Sequence, residues 1–116
     1  MPSPARALRL AERIRGDLAE IFLRETSDPR FKLLTITDIR VDREFSVANI
    51  FVSAVDCDEA RRKEILQGLE GARGFLRSAL AARISLRTFP DLRFHWDFTP
   101  DRAEHIEHLI DSLKKE

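Results

Sequence analysis

Residues 65–77 read Ile65-Leu66-Gln67-Gly68-Leu69-Glu70-Gly71-Ala72-Arg73-Gly74-Phe75-Leu76-Arg77. The apolar members of this stretch recur at the spacing of one buried helical face, which continues to Leu80. Three glycines lie within it at intervals of three residues, although each costs about 1 kcal/mol relative to alanine inside a helix. Two interpretations follow: a packed helix with glycines at close contacts, or a helix that kinks near Ala72, Arg73 and Gly74 and admits a phosphate backbone.

The chain before this helix predicts one helix and two strands. Ser3 as N-cap and Pro4 at the first helical position begin a helix that runs to about Glu25. Its apolar stripe comprises Leu8, Ala11, Ile14, Leu18, Ile21 and Phe22. A turn at residues 26–30 ends this helix, because a residue before proline leaves the helical region. β-branched residues then predict strands at 33–41 and 47–55.

The chain after the helix predicts a third strand and a last helix. Residues 92–98 alternate apolar and polar side chains, which places Trp96 on a buried face with Leu92, Phe94 and Phe98. Residues 103–113 form an amphipathic helix preceded by Thr99-Pro100. The order predicts an α+β fold in one domain over residues 1–116, with a mixed three-stranded sheet and helices covering one of its faces.

Positive charge is concentrated in two segments, although the whole chain has a formal net charge of +0. Residues 71–93 carry a net +4 and residues 1–15 a net +3, whereas residues 94–116 carry −3. This asymmetry indicates an anionic partner. Most of the cations are arginines, whose planar fork binds phosphate with two hydrogen bonds.

The composition argues against a secreted or membrane protein. No apolar run approaches the ~18 residues of a membrane span, and the N-terminus lacks the apolar region of a signal peptide. The expected location is therefore the cytoplasm. Cys57 is the only cysteine, so neither a disulfide framework nor a thiolate metal cluster is expected.

Catalytic motifs are weak in this sequence. His105 and His108 have a spacing that two zinc ligands could use, but a zinc site needs three or four ligands. His95 and Asp97 resemble half of an acid–base pair without a nucleophile in a recognisable setting. We therefore expect no enzyme activity, no metal and no cofactor.

Residues 68–71 and 71–74 both match a Gly-x-x-Gly string. In KH domains such a loop between two helices clamps a nucleotide backbone. The string alone is weak, and here it gains weight from the neighbouring arginines. Because aromatic residues other than Phe75 do not interleave with these arginines, backbone contacts are favoured over base stacking.

Several segments in the same order resemble the bacterial ribosome-binding factor A family, a group with a KH-like fold of the second type. The matching segments are residues 9–13, 27–30, 34–39, 48–53, 72–77 and 86–94. The resemblance implies a helix–kink–helix element around Ala72 and Gly74 in place of the Gly-x-x-Gly loop, and an extra C-terminal helix. It also implies binding to the immature small ribosomal subunit and its rRNA late in assembly, a role in cold adaptation, and no catalysis.

The resemblance turns the arginines into a predicted rRNA footprint. The first group, around the kink, comprises Arg73, Gly74, Arg77, Arg83 and Arg87. The second group, on the first helix, comprises Arg6, Arg9 and Arg13. Arg30 has either a structural role or an RNA contact, and Gly68 and Gly71 have no assigned role.

Two other functions remain open from the sequence. One is a generic KH-type protein that binds single-stranded RNA. The other is a protein–protein adaptor that uses the apolar face of Leu92, Phe94, Trp96 and Phe98. We expect a monomer without a membrane partner.

Overall fold

The computed structural model describes residues 4–99. Its elements in chain order are α1 (Pro4–Arg24), α2 (Pro29–Lys32), β1 (Thr35–Val41), β2 (Val47–Ser53), α3 (Glu59–Arg83) and β3 (Asp91–Trp96). The predicted α+β fold with three strands is confirmed. The short helix α2 replaces the predicted turn, because Asp28 caps it by accepting a hydrogen bond from the Arg30 backbone N–H and Pro29 begins it. The predicted C-terminal helix lies outside the described residues.

The three strands form one mixed sheet in the order β1-β2-β3. β1 and β2 are antiparallel, and β3 runs parallel to β2 after the crossover through α3. The register of β1 against β2 shifts between Ile36 and Asp38. Arg15 of α1 donates hydrogen bonds to the carbonyls of Ile36 (3.2 Å) and Thr37 (3.4 Å) at this bulge.

The core lies between one face of the sheet and the helices α1 and α3. Side chains from both layers are fully buried there, including Ile14, Leu18, Ile50, Leu76, Leu80 and Leu92. Trp96 is 8% exposed, which confirms its predicted burial. Two predictions of buried side chains were wrong: Leu8 is 68% exposed and Phe98 is 45% exposed. Leu8 lies at the border of the buried stripe of α1, and Phe98 follows the end of β3, where the strand alternation no longer applies.

The helix α3 is continuous from Glu59 to Arg83. The chain stays helical through Ala72, Arg73 and Gly74 and does not open there, while a bend of the helix axis at Ala72 and Gly74 stays a prediction. The physical reason is the inner face of the helix, where Ile65, Leu69, Leu76 and Leu80 are buried in one stripe. Burying each of these side chains contributes about 1.5–3 kcal/mol, which outweighs about 1 kcal/mol for each glycine.

Candidate nucleic-acid interface

The outer face of α3 is bare at two of its glycines. A Cβ atom added at Gly71 or Gly74 would meet nothing within 4 Å. Close packing inside the described part of the chain therefore does not explain either glycine. A helix surface without side chains allows another backbone to approach closely, as the sequence interpretation required.

Gly68 differs because it makes room for Arg30. A Cβ at Gly68 would lie 2.8 Å from the Arg30 Nη2 atom. The Arg30 guanidinium binds the Asp28 carboxylate, with Nη2 at 2.6 Å from Oδ2, and donates to the Glu64 carbonyl at 3.0 Å. The hydrogen bonds from Arg30 lower the pKa of Asp28, and the Asp28 carboxylate raises the pKa of Arg30. These contacts support the structural role of Arg30 and assign one to Gly68.

Arg73 and Arg77 lie on the same side of the bare surface of α3, and both are exposed. Arg73 pairs with Glu70 of the preceding turn, with 3.5 Å between Nη1 and Oε2. Arg77 donates to the carbonyls of Phe89 (2.6 Å) and Pro90 (3.2 Å). Arg77 thus holds the loop that leads into β3, whereas Arg73 contacts only its own helix in the bonds described.

Arg83 lies among three carboxylates. Its guanidinium contacts Asp17 at 3.8 Å, Glu20 at 3.3 Å and, more closely, Glu25. The hydrogen bond to Glu25 is the main cause of a raised pKa of Arg83. Only 26% of the Arg83 side chain is exposed. Arg83 therefore joins α3 to α1, and its charge is compensated within the protein.

The two predicted arginine groups meet at the C-terminal end of α3. Arg13 of α1 donates to the Arg83 carbonyl at 3.0 Å. Arg6 and Arg87 line one recess of about 420 Å³, whose other lining residues are Glu44, Phe45, Ser46, Leu86 and Thr88. Arg9 is exposed on α1 between Arg6 and Arg13. Side chains from the two ends of the described chain thus contribute to one cationic region.

Sequence reasoning missed the intramolecular partners of these arginines. No local pattern marks the partners of Arg77 and Arg83, because they are distant in sequence, whereas the spacing of Glu70 and Arg73 on one helix is a local signal for their ion pair. Leu92, Phe94 and Trp96 are buried in the core. They are therefore not available as the binding surface that the adaptor interpretation requires.

Residues 4–99 contain no group of His, Cys, Asp or Glu side chains that could hold a metal ion. Within the same residues, no helix combines the length and the hydropathy that a membrane span requires.

Comparisons with known proteins identify relatives of this chain. Residues 6–110 match the family model described as ribosome-binding factor A. Ribosome-binding factor A of Alcanivorax borkumensis is 41% identical over 108 residues, which cover 93% of this chain and 79% of that protein.

Two structural relatives from Thermus thermophilus share this fold. The crystal structure of ribosome-binding factor A has a TM-score of 0.68 at 31% identity, covering 78% of this chain and 93% of that one. A homology model fitted into the cryo-EM map of a 30S complex with this factor has a TM-score of 0.61 at 31% identity, covering 75% and 90%. The chain described here belongs to the ribosome-binding factor A family.

Proposed function

We propose that this chain binds the immature small ribosomal subunit through its rRNA and assists late maturation in the cytoplasm without catalysis. The family supports the partner, because a relative of 31% identity is fitted into the map of a 30S complex. The proposal includes the role in cold adaptation that the family resemblance implies.

One observation carries the mode of binding. The outer face of α3 has two glycines with open space above them, Gly71 and Gly74, and Arg73 borders this surface. A phosphate backbone can lie on such a surface, while an arginine beside it binds phosphate oxygens. The cationic region of Arg6, Arg9, Arg13 and Arg87 extends the footprint, and Arg77 and Arg83 support it mainly by holding α3 in place.

Co-sedimentation with small ribosomal subunits at two salt concentrations tests the proposal. We expect the logarithm of affinity to fall linearly with the logarithm of salt concentration, because phosphate contacts release counterions. Reversing the charge in Arg73→Glu should weaken binding about tenfold or more. An affinity that does not change with salt would contradict binding through rRNA phosphates.

The matched control is Arg40→Glu. Arg40 is 75% exposed and lies on the sheet face opposite the helices, where its guanidinium is 5.4 Å from the Phe51 ring centroid. Both variants change the net charge equally. If the RNA footprint lies on α3, Arg73→Glu should therefore lose more affinity for small subunits than Arg40→Glu does. Tight binding to short unstructured RNA without preference for subunits would instead support a generic single-strand binder.

A further inference from the structure

A recess lies beside the bare surface of α3 and is not part of the arginine footprint. It has a volume of about 380 Å³ and opens between α3 and the segment that joins α1 to α2. One wall consists of Glu25, Thr26, Ser27 and Asp28, and the other of Gly68, Gly71, Ala72 and Phe75, with Phe31 also contributing.

Phe75 is the unusual member of this recess. It is 50% exposed, whereas the next residue on the helix, Leu76, is fully buried. Its neighbours on the same wall are glycines and an alanine, so no long side chain from Gly71 or Ala72 stands between the solvent and the ring. A half-exposed aromatic beside a surface of small residues can receive a flat group of similar size.

The polar wall favours a base over a phosphate. Glu25 and Asp28 line the recess, and their carboxylates are paired with Arg83 and Arg30 respectively. A recess whose lining residues include no lysine or arginine offers a phosphate no cationic partner, whereas carboxylate oxygens accept hydrogen bonds from the amino groups of bases. The Thr26 hydroxyl donates to the Phe22 carbonyl at 2.9 Å and so fixes this wall.

We propose that this recess binds one unpaired nucleobase of the small-subunit rRNA, stacked on the Phe75 ring, while the adjoining backbone crosses α3 at Gly71 and Gly74. The inference rests on the proposed function and adds to it a base contact that the sequence interpretation had set aside. Stacking on an aromatic side chain tolerates different bases, and the carboxylate wall adds a preference for bases with an exocyclic amino group.

The test compares Phe75→Leu with Phe75→Tyr, which keeps the aromatic ring. Affinity for protein-free small-subunit rRNA and for whole small subunits is measured over a series of salt concentrations. Phe75→Leu should bind both about 5- to 150-fold more weakly, the loss typical of one stacked base. Its salt dependence should keep the wild-type slope, because no phosphate contact is removed. Phe75→Tyr should bind as the wild type does.

The control is Leu23→Ala, which should leave binding unchanged, since Leu23 is 62% exposed on α1 and does not line the recess. Thermal midpoints of all variants verify folding. Wild-type affinity of Phe75→Leu for rRNA would overturn the proposal. So would a loss with whole subunits but not with protein-free rRNA, because the ring would then contact a ribosomal protein. Failure of the wild type to bind whole small subunits would instead reject the proposed function itself.

Discussion

The inner and outer faces of α3 carry opposite kinds of residues. The inner face is continuous, with Leu69 and Leu76 fully buried, and it determines how the helix packs on the sheet. The outer face has Gly71 and Gly74 with open space above them, where alanine would form a more stable helix. The packing of the inner face therefore accounts for the fold. The two glycines of the outer face make the helix less stable, and no contact among the described residues compensates for this loss.

The largest effect is expected on the inner face. Leu76→Ala removes a fully buried side chain and should lower the free energy of unfolding by about 2–5 kcal/mol, because it loses burial and leaves a cavity. Urea unfolding followed by circular dichroism measures this change. A loss below about 1 kcal/mol would mean that the inner face is not the main packing surface.

A smaller loss is expected where α3 meets α1. Arg83→Glu would place a fourth carboxylate beside Asp17, Glu20 and Glu25, and like charges at this distance destabilise the contact. The thermal midpoint should fall, while Arg73→Glu on the outer side should leave it nearly unchanged. Equal midpoints for the two variants would show that Arg83 does not join the helices.

Replacing an outer glycine should separate stability from binding. Gly74→Leu should raise the free energy of unfolding by about 0.5–1 kcal/mol, because leucine favours a helix, and should weaken binding to small subunits by blocking close approach. Gly16→Leu is the matched control, since Gly16 of α1 also has nothing within 4 Å. It should give a similar gain in stability, and wild-type binding by Gly74→Leu would contradict the role of Gly74 in close approach.

Gly68→Ala should change stability less than Gly74→Ala does. The new Cβ would lie 2.8 Å from the Arg30 Nη2 atom, so displacement of Arg30 from Asp28 offsets the gain in helix propensity. In an Arg30→Ala background the full gain should return, because the clash is gone. A double-mutant cycle measured by thermal unfolding gives this coupling, and additive effects would mean that Gly68 does not accommodate Arg30.

The smallest expected effect is on the stability of the protein at acidic pH. The Asp28 pKa is lowered from its ordinary value near 3.8, chiefly by the hydrogen bond from the Arg30 side chain. A carboxyl with a lowered folded-state pKa stabilises the protein above its unfolded pKa and loses that contribution as pH falls through the folded value. Asp28→Asn should therefore be less stable than the wild type at neutral pH, with a difference that shrinks below about pH 4. A constant difference from pH 7 to pH 2 would contradict this assignment.

Local sequence patterns predicted the elements that depend on neighbouring residues. The alternation around Leu92, Phe94 and Trp96 predicted a strand with one buried face, and the apolar spacing from Ile65 to Leu80 predicted a long helical segment, with a kink at its glycines left open. The sequence could not show which glycines of α3 contact another residue and which are open to solvent, because only the fold brings Arg30 against Gly68 and leaves Gly74 uncovered. The roles of Arg77 and Arg83 were hidden for the same reason, since their partners include the Phe89 carbonyl and the Glu25 carboxylate.

The bulge in β1 also affects whether two copies of this chain can associate through their sheets. An edge strand with unpaired backbone groups invites a second chain to extend the sheet. β1 is such an edge, but its register shifts at Ile36 and Asp38, and Arg15 occupies the Ile36 and Thr37 carbonyls. A neighbouring strand would have to displace this guanidinium and accept an irregular register. The contact between α1 and β1 thus opposes the pairing of another strand along this edge of the sheet.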